Sequence, residues 1–235
     1  MSLPDRAMVF AAGFGTRMGA RTRDLPKPLL PVAGRTMLDH ALDRLAAGGV
    51  TRAVVNTHYH AELIAAAVEG RRAPEVVLSH EPQILETGGG LQAALPHLGP
   101  RVLSVNPDAI WAGAADPLAT LAAGWREGME ALLLLVPRDR ARAYTRAGDF
   151  DLDSDGRLIR RGTAASAPYV YSGWQILRTG RLAARAPGAF SLNEIWNAMA
   201  ADGGLHGAVC DHDWVDVGTP EGLDAAEALL AEGVD

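Results

Sequence analysis

The chain has 235 residues with a formal net charge of −6, and 48% of its residues are hydrophobic and 21% charged. The acidic balance argues against a nucleic-acid groove and against binding to an anionic membrane surface. The single cysteine, Cys210, excludes an intrachain disulfide and fits a reducing cytoplasm. No apolar run is long enough to span a bilayer. We therefore expect a cytoplasmic protein without nucleic-acid or membrane partners, with one domain over residues 1–235.

Short apolar segments alternate with helical segments through the first half of the chain. Five segments have the length and apolar character of buried strands: residues 7–12, 52–56, 76–79, 102–105 and 131–136. Helices are expected between them at residues 36–47, 61–69, 90–95 and 117–125. The alternation predicts an α/β fold, Rossmann-like and doubly wound, with a mostly parallel (mixed) sheet.

The second half of the chain has a different pattern. The sequence Asp-Ser-Asp-Gly, between residues 149–152 and 157–160, indicates a hairpin. Further strands are expected at residues 169–177 and 214–217. A terminal helix, Pro220–Ala231, begins with a proline, which favours the first turn of a helix.

The loop that follows the first strand carries the strongest chemical signal. Gly13 and Gly15 lack the side chains that would keep a ligand from the backbone amides, and such amides bind phosphate oxygens. Arg17 and Lys27 add positive charge near the two ends of the loop, and prolines on both sides restrict the backbone of Lys27. The loop predicts a site for a nucleoside triphosphate.

Three motifs resemble the sugar-1-phosphate nucleotidyltransferases. They are Gly-Phe-Gly-Thr-Arg-Met (13–18) followed by Pro-Lys-Pro-Leu (26–29), Trp-Val-Asp-Val-Gly-Thr-Pro-Glu (214–221), and Leu-Glu-Thr-Gly-Gly-Gly (85–90). The last is most similar to the branch that makes UDP-N-acetylmuramic acid in cell-wall sugar recycling. The resemblance implies a nucleotidyltransferase (glycosyltransferase-A-like) fold, with a nucleotide-binding half at about residues 7–136 and a sugar-binding half at about 137–235. It also implies transfer of a nucleotidyl group from a nucleoside triphosphate, expected to be UTP, to a sugar 1-phosphate, expected to be N-acetylmuramic acid 1-phosphate, with release of pyrophosphate.

The resemblance assigns roles to individual residues. The expected catalytic residues are Arg17 on the leaving phosphates, Lys27 on the α-phosphate, and Asp108. Asp108 and Asp216 are expected to hold Mg²⁺, or Mn²⁺ in its place, because such cations prefer carboxylates and share them with substrate phosphates. The residues expected to contact the nucleotide are Ala11, Ala12, Gly13, Gly15, Thr16, Arg17, Lys27, Gln83 and Gly88. Those expected to contact the sugar are Asn106, Gly148 and Gly173.

Residues 81–95 are expected to read the base. Gln83 offers both a donor and an acceptor to the edge of a pyrimidine. Gly88 would let the backbone approach the base, and the helix that starts there would point its N-terminus at the ligand.

Two positions depart from the family pattern. Pro107 stands where a glycine usually precedes the metal aspartate, and it offers no amide to a ligand. The Glu-Lys-Pro element that gives many relatives a second lysine is absent, since residues 160–163 read Arg-Arg-Gly-Thr. Sugar recognition therefore rests on fewer matched residues than nucleotide recognition does.

Several alternatives stay open at this point. Within the enzyme class they are a mannose-1-phosphate guanylyltransferase, a glucose-1-phosphate thymidylyltransferase and a choline-phosphate cytidylyltransferase. From another class, the chain could be a non-catalytic nucleotide-sugar sensor, for which Pro107 would be a sign of decay. An NAD(P)-dependent oxidoreductase would need an acidic residue after the second strand to bind the ribose, and this sequence offers none there. His58 and His60 are expected to be surface or packing residues, and the sequence does not fix the oligomeric state.

Overall fold

The structure, a computed structural model, describes residues 2–113 and 115–232. Its strands are β1 (Arg6–Phe10), β2 (Pro31–Val32), β3 (Arg35–Thr36), β4 (Arg52–Thr57), β5 (Glu75–His80), β6 (Arg101–Val105), β7 (Ala109–Trp111), β8 (Ala131–Pro137), β9 (Ala141–Arg142), β10 (Phe150–Leu152), β11 (Leu158–Arg160), β12 (Tyr169–Arg178), β13 (Leu205–Val209) and β14 (Trp214–Asp216). Its α-helices are α1 (Met37–Ala47), α2 (Ala61–Val68), α3 (Glu86–Ala94), α4 (Pro117–Gly124), α5 (Gly180–Ala183), α6 (Leu192–Ala201) and α7 (Pro220–Ala231). Within these ranges no helix has the length and apolar character needed to cross a membrane.

Nine strands from both halves of the chain form one central sheet. The order is β5-β4-β1-β6-β12-β10-β11, with β8 paired to β12 and β13 paired to β8. Strands β4, β1 and β6 run parallel, as do β4 and β5, whereas β12 runs antiparallel to β6 and β8. The predicted α/β fold with a mixed sheet is confirmed, and antiparallel pairing is concentrated in the second half.

A smaller sheet brings the C-terminal segment back to the first half. Strand β14 pairs antiparallel with β7 and parallel with β9. In this register Asp216 lies opposite Ala109. Helix α7 follows β14, and its N-cap residue Thr219 accepts a hydrogen bond from the amide of Gly222 (3.3 Å). The small sheet therefore carries a segment from the end of the chain to the carboxyl end of β6.

Three helix assignments differ from the sequence expectation, and one of them is the short helix α5, which was not predicted. Helix α3 begins at Glu86 rather than at residue 90, so its three glycines lie inside the helix and are buried. Helix α6 was not predicted, although Ser191 caps it by accepting a hydrogen bond from the amide of Asn193 (3.2 Å). Its buried residues Leu192, Ile195 and Met199 follow helical spacing.

Strand β13 was also missed, because it is short and contains a histidine and a glycine. A side chain at Gly207 would place its Cβ 2.7 Å from Cδ1 of Leu135 on the neighbouring strand. The glycine thus allows close packing of β13 on β8. A propensity scale, however, counts a glycine against a strand, so the strand was not recognised.

Candidate active site

Two cavities open at the carboxyl ends of β1, β4 and β6, where ligands bind in open α/β sheets. The first has a volume of about 330 Å³ and is lined by the loop after β1, by Lys27 and by residues of the loop before α3. The second has a volume of about 310 Å³ and is lined mainly by residues of the second half. Arg17, Asn106 and Asp108 line both cavities and so mark their junction.

The first cavity gathers most of the residues predicted to bind the nucleotide. It is lined by seven of those nine: Ala11, Ala12, Gly13, Gly15, Thr16, Arg17 and Lys27. The amide of Ala11 already donates to Oδ1 of Asn56 (2.7 Å), so this residue contributes its surface rather than its N–H to the cavity.

Gly15 has the left-handed backbone that the loop needs, with φ of +64°. A Cβ at this position would lie 2.8 Å from Cβ of Lys27. The hydroxyl of Thr22 donates to the carbonyl of Gly15 (3.1 Å) and holds the turn from the other side. The glycine is therefore required both by its φ and by the close passage of the Lys27 side chain.

Lys27 and Asp108 form an ion pair at the junction of the two cavities, with Nζ of the lysine donating to Oδ2 of the aspartate. Their side chains are only 13% and 21% exposed. The carbonyl of Asp108 accepts a hydrogen bond from the amide of Val217 (2.9 Å), which ties the loop after β6 to the end of β14.

Asp216 lies next to this pair and carries a perturbed carboxyl group. Burial raises its pKa above the ordinary range of an aspartate, and the negative charge of Asp108 raises it further, whereas Lys27, Arg146 and Arg17 oppose the shift. Nη2 of Arg146 also donates to Oδ2 of Asp216 (3.2 Å). A buried carboxylate beside a second carboxylate suits a divalent cation, which would neutralise both.

The residues present fit Mg²⁺ in the manner predicted. In the described ranges, no group of three or more His, Cys, Asp and Glu side chains surrounds a cation position. Mg²⁺ bound through one or two carboxylates completes its shell with waters and substrate phosphates, so two aspartates beside a phosphate cavity are sufficient. Asp108 and Asp216 remain the residues predicted to hold it.

Two of the three predicted sugar contacts lie together in the second cavity. The amide of Asn106 donates to the carbonyl of Gly173 (3.0 Å), and both residues line the wall. Gly173 has φ of +89°, and a Cβ there would lie 2.9 Å from Cβ of Asn106. Pro107 lines the first cavity beside them.

Gly148, the third predicted sugar contact, lies outside both cavities. Its φ is +86°, and a Cβ there would lie 2.2 Å from the carbonyl oxygen of Ala167. The glycine thus serves a tight backbone crossing, and its neighbours Arg146 and Asp149 line the second cavity instead.

Gly88 and Gln83 are not brought to the cavity walls. The amide of Gly88 donates to the carbonyl of Phe190 (2.9 Å), and a Cβ would clash with the Phe190 ring at 2.3 Å. The absence of a side chain at Gly88 therefore allows α3 to pack closely against Phe190. Gln83 is exposed in the loop before α3, next to Ile84, which does line the first cavity. A base-reading role for Gln83 stays a prediction.

Residues 7–186 match the family described as a MobA-like NTP transferase domain. The chain belongs to this family. The predicted membership among the nucleotidyltransferases is thereby confirmed.

Relatives that match nearly all of this chain are named as sugar-phosphate enzymes. It is 43% identical to the N-acetylmuramate α-1-phosphate uridylyltransferase of Caulobacter vibrioides, over 97% of this chain and 98% of the relative. It is 32% identical to the enzyme of the same name from Neisseria meningitidis serogroup B, over 95% and 97%. The mannose-1-phosphate guanylyltransferase of Mycobacterium tuberculosis is 28% identical over 97% of this chain and 65% of that protein.

The fold is shared with solved structures at lower identity. HddC from Yersinia pseudotuberculosis, complexed with GMP-PN, superimposes with a TM-score of 0.77 at 21% identity, over 95% of this chain and 98% of that one. A UDP-glucose pyrophosphorylase complexed with UDP-glucose gives a TM-score of 0.75 at 14% identity, over 97% and 98%. These likenesses confirm the predicted nucleotidyltransferase fold.

A buried network behind the first cavity of this NTP transferase was missed from the sequence. The carboxylate of Glu81, which is 1% exposed, accepts hydrogen bonds from Nδ2 of Asn56 (2.7 Å) and from the amide of Leu85 (2.9 Å). Nδ1 of His58 donates to the Glu81 carbonyl (2.7 Å), so this histidine is a packing residue. The signal was an asparagine and a glutamate at the ends of neighbouring predicted strands, which resembled ordinary turn residues.

Asp216→Asn is expected to raise the Tm of the metal-free protein at neutral pH. The pKa of the Asp216 carboxyl is raised in the folded state. At a pH above this raised pKa, ionisation of Asp216 therefore destabilises the folded protein. At a pH below the ordinary aspartate pKa the carboxyl is protonated in both states, and the destabilisation disappears. The gain in Tm should therefore shrink as the pH is lowered. Differential scanning fluorimetry with a chelator measures the change in Tm at neutral pH and at acidic pH. Asp213→Asn, which breaks a partly buried ion pair with Arg142, is the control without a gain. A lower Tm for Asp216→Asn at neutral pH would contradict the expectation.

Proposed function

We propose that this protein transfers the uridylyl group of UTP to N-acetylmuramic acid 1-phosphate, giving UDP-N-acetylmuramic acid and pyrophosphate with Mg²⁺. The observation that carries the proposal is the Lys27–Asp108 pair, with Asp216 beside it, at the junction of two cavities. Two substrates that react with each other need two adjoining sites, and their phosphates need a cation-rich boundary. The two full-length uridylyltransferase relatives support the choice of UTP and of the sugar.

The proposed reaction is an in-line displacement at the α-phosphorus of UTP. An oxygen of the sugar 1-phosphate, bound in the second cavity, forms the new P–O bond, and the bond to the β,γ-diphosphate breaks with its electron pair leaving on pyrophosphate. The attacking phosphate is ionised at neutral pH, so no general base is required. Lys27 would neutralise charge on the α-phosphate, and Arg17 on the leaving phosphates. Mg²⁺, held by Asp108 and Asp216, would supply further positive charge to the phosphate oxygens.

The alternatives differ in their support. The guanylyltransferase relatives are more distant in sequence and longer than this chain. A non-catalytic sensor would have no need to keep Arg17, Lys27, Asp108 and Asp216 around one junction, even though Pro107 lacks an amide. We place the reaction in the cytoplasm, where nucleoside triphosphates are made. The one thiol, Cys210, is free and buried, and burial raises its pKa.

Pyrophosphate release with UTP and N-acetylmuramic acid 1-phosphate tests the function directly. We expect release to require both substrates and Mg²⁺, to stop when EDTA is added, and to return with Mg²⁺ or Mn²⁺. GTP, dTTP and CTP, each paired with the 1-phosphates of glucose, mannose and N-acetylglucosamine, provide the comparison. Higher kcat/KM for GTP with mannose 1-phosphate would replace the proposal by the guanylyltransferase alternative. Nucleotide binding without turnover in any combination would favour the sensor.

A further inference from the structure

One arginine of the second cavity neither takes part in the proposed reaction nor pairs with a carboxylate in the described residues. Three arginines and three aspartates line this cavity: Arg17, Arg146, Arg160, Asp108, Asp149 and Asp216. Arg17, Asp108 and Asp216 belong to the reaction centre, and Arg146 is hydrogen-bonded to Asp216. Arg160, at the end of β11, lines the second cavity but not the first.

The Arg160 guanidinium is held in place by neutral groups. Nε donates to Oδ1 of Asn197 (2.9 Å) and Nη2 donates to Oδ1 of Asn193 (3.0 Å). Both asparagines lie on α6, four residues and thus about one turn apart. The guanidinium carbon also lies 5.3 Å from the centroid of the Phe150 ring. These contacts fix the side chain in advance without neutralising its charge.

No carboxylate of the protein pairs with Arg160 in the ranges that the structure describes. Partial burial lowers the pKa of Arg160, and the negative charge of Asp149 opposes this shift. Oδ2 of Asp149, however, accepts a hydrogen bond from the amide of Tyr171 on β12 (3.0 Å). The Asp149 carboxylate forms no ion pair with the Arg160 guanidinium. Arg160 therefore presents a preorganised positive charge, with Nη1 still available, to whatever binds in the second cavity.

We propose that Arg160 binds a carboxylate carried by the sugar ring and thereby selects acidic sugar 1-phosphates over neutral ones. The inference rests on the proposed function in taking a sugar 1-phosphate as the acceptor. The phosphate of that acceptor must lie at the junction, where Arg17 and Asp108 line both cavities, because it attacks a phosphorus bound in the first one. Arg160 lines only the second cavity and so faces another part of the sugar. N-acetylmuramic acid is N-acetylglucosamine with a lactyl ether on O3, and this ether carries a carboxylate that N-acetylglucosamine lacks.

The test compares the binding of two sugar 1-phosphates, of which only one carries the lactyl ether with its carboxylate. Isothermal titration calorimetry gives the Kd of N-acetylmuramic acid 1-phosphate and of N-acetylglucosamine 1-phosphate for the full chain, with Mg²⁺ present. A charge-assisted hydrogen bond is expected to favour the acidic sugar by about ten- to a hundredfold in the wild type. Arg160→Gln should abolish this preference while leaving the Kd of N-acetylglucosamine 1-phosphate unchanged. Arg160→Lys, which keeps the charge and loses the planar fork, should retain part of it.

Arg157→Gln is the matched control. Arg157 lies three residues earlier in the same hairpin, is paired with Asp155, and lines neither cavity. It should keep the wild-type preference, and the melting curves of all variants confirm that they fold.

Two other binding outcomes overturn the inference, each in a recognisable way. An equal loss of affinity for both sugars in Arg160→Gln would place the phosphate, rather than a carboxylate, at Arg160. An unchanged preference, or a wild type without one, would show that Arg160 does not select the sugar. If the preference depends on Arg160 but no pyrophosphate is released with any substrate pair, the carboxylate site stands and the transferase proposal fails.

Discussion

Replacing Asp108 by Asn is expected to lower kcat for pyrophosphate release by about 10²–10³ or more. The carboxylate pairs with Lys27 at the junction of the two cavities, and with Asp216 it is the group predicted to hold Mg²⁺. An asparagine removes the charge but keeps the shape. The backbone bond from the amide of Val217 to the carbonyl of residue 108 should therefore persist and hold the loop.

The measurement is steady-state kinetics at saturating UTP and sugar 1-phosphate over a series of Mg²⁺ concentrations. Asp213→Asn makes the same chemical change three residues before Asp216, outside both cavities, and should keep the wild-type kcat. A kcat of Asp108→Asn near the wild-type value, at any Mg²⁺ concentration, would remove Asp108 from the reaction centre. Loss of activity with a lower Tm would instead indicate a folding defect.

The phosphate loop could be predicted because its residues lie in one local stretch of the sequence. Gly13, Gly15, Arg17 and Lys27 lie within one short segment that follows a buried strand, and proximity along the chain brings them near one another. The meeting of Asp108 and Asp216 depends on β14 pairing with β7, which no local pattern specifies. Resemblance to a known family supplied that contact, and periodicity could not have done so.

The glycines show that a motif does not identify the neighbour of a glycine. Gly88 was predicted to let the backbone approach the base, and Gly148 was predicted as a sugar contact from the family resemblance. In the structure they let Phe190 and Ala167 approach instead. A missing side chain allows close contact with any neighbour, and the sequence does not say whether that neighbour is a ligand or another part of the chain.

The sugar side of the site was less predictable because it is assembled across long sequence distances. Arg160 is positioned by Asn193 and Asn197 on α6, a helix that the sequence analysis did not find. Glu81 and Asn56 likewise meet only because β4 and β5 lie side by side. Single polar residues of this kind carry no spacing signal, so their roles appear only when the sheet order is known.

Replacing Lys27 by Met is expected to reduce kcat by about 10²–10³ while changing the KM for UTP less, because the ammonium would neutralise charge that shifts at the α-phosphorus. Lys27 is the single lysine of the chain, and all the other residues among its 22 Lys and Arg are arginines. Its stem passes so close to Gly15 that a Cβ there would lie 2.8 Å from Cβ of Lys27. The ammonium meets Asp108 as a compact point charge, whereas a guanidinium presents its donors in a fixed planar fork. We therefore expect Lys27→Arg to fail as well.

The single lysine also permits a direct measurement of its environment. Reductive methylation with ¹³C-formaldehyde labels only Lys27 and the N-terminal amine, so one NMR signal reports the ammonium. We expect UTP with Mg²⁺ to slow the labelling of Lys27 and to leave the N-terminal amine unaffected. Equal labelling of Lys27 with and without UTP, together with a wild-type kcat for Lys27→Arg, would show that the ammonium does not contact the triphosphate.

The Lys27 charge also lowers the pKa of Asp216, so Lys27→Met should raise that pKa further. The acidic limb of the kcat/KM profile, measured on the residual activity of Lys27→Met, should then lie at a higher pH than in the wild type.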